Sequence, residues 1–330
     1  FMTRTFNRRL LGAAAVAALA LTATPILTAG TSRAADEGTK PKSLTILAGP
    51  TGSSFFATAA GVAAILGDEG VRANAEMGGG TSNVVGVSRG MGELGLTMSI
   101  VPSVAKAGKP PFQEPIDNVR GIASFTSMLA HVAVARDGGV GSLADLKGKR
   151  FASQPVGQAT ALIFDDMLAA SDIDPAGIDL VRGGLSFQTD QIKDRHAVGM
   201  ISVANYPASF FTELANSSDI TFLTIDDALA EKLQSLNPGY VRTEIPAGTY
   251  PGQDAAVPTV GTSMMMIASA DMSDDEAYWL TRTLIQKFKR LQGAHASLAR
   301  LEPADMARMP GITIHPGALR AYEEAGVAAK

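Results

Sequence analysis

The chain has no cysteine and one tryptophan, and its four histidines, His131, His196, His295 and His315, lie far apart. Without thiols there can be no disulfide framework, thiol nucleophile or cysteine-based zinc or iron–sulfur site, so the fold must be held by packing. The histidines show no metal-ligand spacing and the chain has no Gly-x-Ser-x-Gly nucleophile elbow, so neither a metal, a cofactor nor an enzymatic activity is expected. Basic stripes are also missing: 28 Lys and Arg stand against 32 Asp and Glu, scattered, for a net charge of −4. Nucleic-acid binding therefore lacks its electrostatic footprint. The triplet Gly78-Gly79-Gly80 is not followed by the Lys-Ser or Lys-Thr that a phosphate-binding P-loop requires.

What is present is a core-rich chain of 330 residues, 46% hydrophobic and 18% charged. At about 100–200 residues per domain this suggests two lobes. Arg4, Arg8 and Arg9 precede an Ala/Leu-rich run, Leu10 to Leu27, and a small-residue site at Ser32-Arg33-Ala34. This predicts a signal peptide over residues 1–35, cleaved near Ala34 or Ala35, and export to the periplasm. Thr22, Thr24 and Pro25 interrupt the run, which is short for a membrane anchor of about 20 apolar residues. Arg8-Arg9-Leu10-Leu11 resembles a twin-arginine signal, although Gly12 stands where an apolar residue is expected, so both export routes stay open.

From Ser43 onward, short apolar runs alternate with helical stretches: SLTILAG, 57–66, VRANAEM, 82–89 and ELGLTMS, then KRFASQ, 158–170, IDLVRG, 187–194, AVGMISV, 207–215 and ITFLTI. The alternation predicts mainly parallel sheets flanked by helices. Ile122 to Ala135 is long enough to cross between lobes, and Val260 to Ala268 reads as the strand that returns. Two crossings imply a two-strand hinge. Lobe one is expected over 43–133 and 254–330, lobe two over 134–253. Ser273 followed by Asp274-Asp275-Glu276 predicts a capped helix start, and Met264-Met265-Met266 reads as buried strand. The acidic pairs Asp165-Asp166, Asp226-Asp227 and Glu323-Glu324 read as solvated helix positions or caps. In the segment IPAGTYPGQDAAVPTVGT (245–262), Pro246, Gly248, Pro251, Gly252 and Pro258 forbid a helix and break a long strand, which predicts an ordered connection near the hinge.

Several of these pieces together carry a family resemblance: AGPTGSSFF (48–56), GGGTSN (78–83), ELGLTMS (93–99), SLADLKGKR (142–150), QPVGQAT (154–160), IPAGTYPG (245–252), VPTVGT (257–262) and IHPGALRAYEEAG (314–326). In this order, across Ser43 to Gly326, the chain resembles the extracytoplasmic solute-binding proteins of the TAXI branch of TRAP transporters. The resemblance implies an α/β, two-lobed, type II periplasmic-binding-protein-like fold with a ligand cleft. It also implies a periplasmic receptor, a soluble monomer once mature, that captures a small organic anion such as an oxoacid, dicarboxylate or amino acid and delivers it to the small and large TRAP membrane subunits. A sensory ligand-binding protein, or an enzyme on the same scaffold, is the alternative.

In open α/β sheets ligands sit outside the carboxyl ends of the strands. In lobe one this selects Gly52, Ser53, Ser54, Phe55 and Phe56, where two phenylalanines can form an apolar wall, then Thr81, Ser82 and Asn83 at a helix start, and Ser99. The family usually presents tyrosines in the first of these loops, and Phe55 and Phe56 lack the phenolic hydroxyls that would bond an amino-acid ligand such as glutamate. In lobe two it selects Gln154, Gly157, Gln158, Ala159 and Thr160, then Asn205 and Tyr206. Arg182, at the end of LVRGG, would pair with a second carboxylate if it faced the cleft, and Tyr250 is expected either to reach the cleft or to brace it.

Overall fold

The structure is a computed structural model that describes residues 38–327. The expected signal peptide lies outside the described residues. The chain begins with β1 (Ser43–Leu47), α1 (Ser54–Asp68), β2 (Arg72–Glu76), α2 (Gly80–Ser88), β3 (Leu94–Met98) and α3 (Ile100–Lys106). A 17-residue strand, β4 (Val119–Ala135), then leads to β5 (Arg150–Ser153), α4 (Ala159–Ala170), β6 (Asp179–Arg182), α5 (Leu185–Lys193), β7 (Gly199–Ala204) and α6 (Ser209–Ser217). β8 (Ile220–Phe222), α7 (Asp227–Leu236), β9 (Val241–Ile245) and β10 (Val257–Ser269) follow, and α8 (Asp274–Gln286), α9 (Phe288–Gln292), α10 (Pro303–Met306) and α11 (Pro316–Glu324) complete the chain.

Local chemistry explains these elements. Phe55, Ala59, Val62, Ile65 and Leu66 recur on one face of α1 and are buried. All five residues of β3 are buried, as a central strand requires. Ser273 caps α8 by accepting the Glu276 N–H at 3.2 Å, with three acidic residues in the first turn, the arrangement its sequence predicts. Met264, Met265 and Met266 are fully buried.

The strands form one mixed sheet in the order β2-β1-β3-β10-β4-β7-β5-β6, with β8 on β4 and β9 on β10. β1 runs parallel to β2 and β3, and β5 runs parallel to β6 and β7. β10 is antiparallel to β3, β4 and β9, and β4 is antiparallel to β7. The mainly parallel expectation is thus corrected at the centre, where a strand that carries the chain out lies beside one that brings it back. Val119 to Leu129 of β4 pairs with β10, and Leu129 to Val134 pairs with β7. At about 3.3 Å per residue, β4 is long enough to serve both lobes of this type II, two-lobed α/β fold. The β4–β10 ladder shifts register between Ser263 and Met265.

A second correction concerns Pro258, which was expected to break a strand and instead lies inside β10, opposite Glu244. The Pro258 carbonyl turns away from the β9–β10 pairing and accepts the N–H of Ile225, in the segment between β8 and α7, at 2.9 Å. Short elements at α3, α7 and β9 are not among the predicted ones. Asp226 does cap α7, accepting the Leu229 N–H at 2.8 Å. Asp166 is not a solvated position: it is half-buried and accepts the Tyr240 hydroxyl at 2.6 Å. Burial raises its carboxyl pKa against the opposing effect of that hydrogen bond.

Candidate functional site

Parallel strands on each side of the hinge end in loops that open helices, which gives each lobe a set of helix N-termini. The loops after β2 and β5 meet. The Thr81 hydroxyl, in the first turn of α2, donates to the Gly157 carbonyl at 2.9 Å, just ahead of α4. Gly157 has φ +89°, which favours glycine at this point of contact. The N-caps of α2 and α4, Gly79 and Gln158, give no side-chain hydrogen bond to the turn that follows, nor does Gly184 ahead of α5. The first-turn N–H groups of these helices carry the positive end of the helix dipole without an internal acceptor from the cap. Two such ends, those of α2 and α4, are joined by the Thr81–Gly157 contact.

α1 differs. Ser53 accepts the Phe56 N–H at 3.2 Å and donates to the Pro50 carbonyl at 2.7 Å, so its hydroxyl is spent on the cap. Gly52 is exposed and Ser54 half-buried. Phe55 belongs to the core and Phe56 packs partly against it. The expected wall of two phenylalanines therefore reduces to the edge of Phe56, because the first turn of α1 needs Phe55 to cover β1.

Asn83 is buried and fully engaged. Its Nδ2 donates to the carbonyls of Leu47, Ala48 and Leu96 at 3.1, 2.6 and 2.7 Å, and its Oδ1 accepts the Gly79 N–H at 3.0 Å. It ties the ends of β1 and β3 to the start of α2, and its burial withholds it from solvent. Gly78 beside it leaves no space for a Cβ. Ser82 is exposed, and its hydroxyl donates to the Gly79 carbonyl. Ser99 is also buried. Its hydroxyl donates to the Gly239 carbonyl at 2.6 Å and accepts the Ser263 N–H at 2.9 Å, which locks the end of β3 to β10 and to the turn before β9.

In lobe two, Gln158 is exposed while Ala159 and Thr160 are buried, so α4 offers the site backbone N–H groups. Arg182 donates to the Gln154 carbonyl at 3.1 Å and pairs with Asp165 at 3.4 Å, fastening the loop to α4. Asn205 donates through Nδ2 to the Thr126 hydroxyl and the Ser127 carbonyl at 3.2 and 3.0 Å, which holds the end of β7 to the middle of β4. Tyr206 is half-buried against lobe-two apolar residues.

Tyr250 does not reach the cleft. It is buried against His131, Phe211 and Phe222, where its hydroxyl accepts the Ala208 N–H at 3.0 Å and lies 2.9 Å from His131 Nε2. His131 Nδ1 lies 2.8 Å from the Leu129 carbonyl. The consistent assignment has Nδ1–H donating to Leu129 and Tyr250 donating to a neutral Nε2. Burial lowers the His131 pKa from 6.5 to about 4 and raises that of Tyr250 to about 12.

The structure also brings the expected Asn205 together with polar residues that were not among those expected from the sequence. A cavity of about 330 Å³ opens against the middle of β4 and β10, where Ser124, Thr126 and Ser263 meet Asn205 and Arg300. The polar run Ser124 to Ser127, set within an apolar strand, is a visible signal for it. Arg300 has none, because it is brought in by tertiary packing of the segment after α9. Among the described residues no group of three or more His, Cys, Asp or Glu is arranged to hold a metal ion, and no helix is long and apolar enough to cross a membrane.

The model of the NMT1-like family matches residues 46–326. The chain belongs to the NMT1-like family. Solved structures of similar fold include a protein from Bordetella bronchiseptica RB50, 15% identical over 88% of this chain and 90% of that one, with a TM-score of 0.50. Two more distant ones are the alkanesulfonate-binding protein SsuA from Xanthomonas axonopodis pv. citri and an ancestral arginine-binding protein. The first is 13% identical over 88% of this chain and 82% of its own, with a TM-score of 0.46. The second is 12% identical over 79% and 99%, with a TM-score of 0.49. At these identities the likeness is one of fold.

Proposed function

We propose that this NMT1-like chain is a periplasmic solute receptor that closes its two lobes on a small organic anion and hands it to the small and large membrane subunits of a TRAP-type transporter. The observation that carries the reading is the pair of helix N-termini, α2 and α4, that lack side-chain caps and are joined by the Thr81–Gly157 hydrogen bond. Such ends receive a carboxylate or another oxyanion through backbone N–H groups. The groups proposed to meet the solute are the N–H groups at Thr81, Ser82, Ala159 and Thr160, the exposed surface of Gly52, Ser54 and Gln158, and the edge of Phe56. Asn83 and Arg182 brace the loops ahead of α2 and α4, while Ser99 and Tyr250 brace the ends of β3 and β7. The chain crosses between lobes within β4 and again within β10, so closure is a hinge motion about those strands. The TRAP assignment rests on the motif resemblance from Ser43 to Gly326.

Thermal denaturation of the purified chain against a panel of carboxylates, oxoacids and amino acids tests the reading, since a ligand bound only by the folded state raises its apparent stability. A stabilising acid that saturates at one per chain is the expected result. No stabiliser in the panel would contradict the receptor role. Genes for TRAP membrane subunits beside this one are expected, and an adjoining ATP-driven permease or sensor kinase would contradict the transporter assignment.

A further inference from the structure

We propose that Lys109 and Asp166 form a charge pair across the lobe interface that draws the receptor toward its closed form, with Lys109 acting as a positioning residue rather than a solute contact. This rests on the receptor reading above and adds to it a latch outside the solute site. A cavity of about 320 Å³ lies where the loop after α3 meets the start of α4. As the proposed hinge divides the chain, Lys109, Pro110 and Pro111 line it from lobe one, and Gly157, Asp165 and Asp166 from lobe two. Gly157 is also the residue that accepts the Thr81 hydroxyl. A Cβ placed on it would stand 3.8 Å from the Pro111 Cβ, so the two segments lie within van der Waals range of each other.

The charges at this cavity sort themselves by partner. Asp165 is taken by Arg182 at 3.4 Å, which leaves Asp166 and Lys109. The Lys109 side chain has no hydrogen bond or ion pair among the described residues, but its backbone is fixed. Its N–H donates to the Val104 carbonyl at 3.2 Å, its carbonyl accepts the Phe112 N–H at 3.0 Å, and two proline rings follow it. Asp166 is half-buried on α4, with Oδ2 held by the Tyr240 hydroxyl at 2.6 Å. Both anchors are therefore ordered in advance, which reduces the entropy that usually cancels a surface ion pair. The remaining polar side chain in the lining, Asn237, is spent on the Ile100 carbonyl and the Gly239 N–H, each at 2.9 Å. Burial raises the Asp166 pKa, the Tyr240 hydrogen bond and the Lys109 charge oppose that rise, and the Asp165 charge adds to it. Lys109 attracts Asp166 only while the carboxyl is ionised. Its pull is complete above the Asp166 pKa and is lost as the pH falls through it, so the latch adds an acid-sensitive share to closure.

The chain has no cysteine of its own, so Lys193→Cys on α5 and Lys289→Cys on α9, both exposed, can carry a donor and an acceptor dye, one in each lobe. Single-molecule energy transfer then counts closed and open molecules with no solute present. At about pH 8 and low salt, Lys109→Met is expected to lower the closed-to-open ratio about threefold, and Lys109→Arg to hold it at the wild-type value. Asp166→Asn keeps an acceptor for Tyr240 but removes the charge, and in that background Lys109→Met is expected to change nothing. The effect of Lys109→Met is also expected to fade as the pH is lowered through the carboxylate range. Lys109 is exposed, so an unchanged melting temperature serves as the folding control. Equal ratios in the wild type and Lys109→Met, or a Lys109→Met effect that persists in full beside Asp166→Asn, overturn the latch and leave the receptor reading standing. Titrating the same dye-labelled chain with succinate, pyruvate and glutamate separates the two claims: a shift toward closed molecules supports the receptor reading, and no shift with any of the three contradicts it whatever Lys109 does.

Discussion

The hydroxyl of Tyr250 joins three segments: the turn that carries it, the His131 ring on β4 and the backbone of Ala208 ahead of α6. Removing it in Tyr250→Phe leaves a buried imidazole nitrogen and a buried N–H unsatisfied, at a cost of about 1–3 kcal/mol measurable by urea denaturation. His131 adds a pH dependence whose sign follows from its burial. Its folded pKa of about 4 lies below the ordinary 6.5, so the unfolded chain takes up the proton first as pH falls. The stabilisation is complete above pH 6.5 and declines through the window down to about pH 4, at about 1.4 kcal/mol per pH unit, for a total of roughly 3 kcal/mol. Denaturation at pH 7 and pH 5 is expected to show a larger loss for the wild type than for His131→Asn. Equal losses would place the ring in a solvated setting.

At the scale of elements, the turn before β10 shows what a local pattern reveals. The prolines and glycines of 245–252 announce a turn, and the turn is there: Gln253 Nε2 donates to the carbonyls of Ile245, Pro246 and Ala255, and Thr249 donates to Pro246. Period and breaker residues likewise disclose β1 to β7, the long β4 and the returning β10, because these depend on near neighbours in the chain. Whether a polar side chain faces a ligand depends instead on distant partners. Asn83 and Ser99 stand after apolar strands as ligand-binding residues do, yet carbonyls 13 to 140 positions away consume them. Arg300 enters the hinge cavity with no local motif to announce it. The start of α2 was legible in both senses, and its contact with α4 has a direct consequence. Thr81→Val keeps the shape and removes the hydrogen bond to Gly157, which in an open cleft is replaced by water. Solute affinity is expected to fall by about fivefold, matching about 1 kcal/mol for one neutral hydrogen bond, with the ligand-free melting temperature unchanged. An unchanged affinity would mean that the contact plays no part in closure.

For the whole molecule, two strands join the lobes, and the floor between them is polar and irregular while both flanks are densely apolar. Met264 to Met266 of β10 and Leu129 to Val134 of β4 are buried, and the β4–β10 ladder shifts register between Ser263 and Met265 and again between Met266 and Ile267. The proposed closure would bend the middle of β4 and β10, with each lobe moving as a packed body. In the proposed receptor, the Thr81–Gly157 contact belongs to the closed arrangement, which an anion bound between α2 and α4 would stabilise over an open one. Small-angle X-ray scattering of the chain during titration with its best-stabilising carboxylate measures this directly. The radius of gyration is expected to decrease and to level off at one ligand per chain, whereas a ligand that binds with no change in scattering would contradict capture by lobe closure.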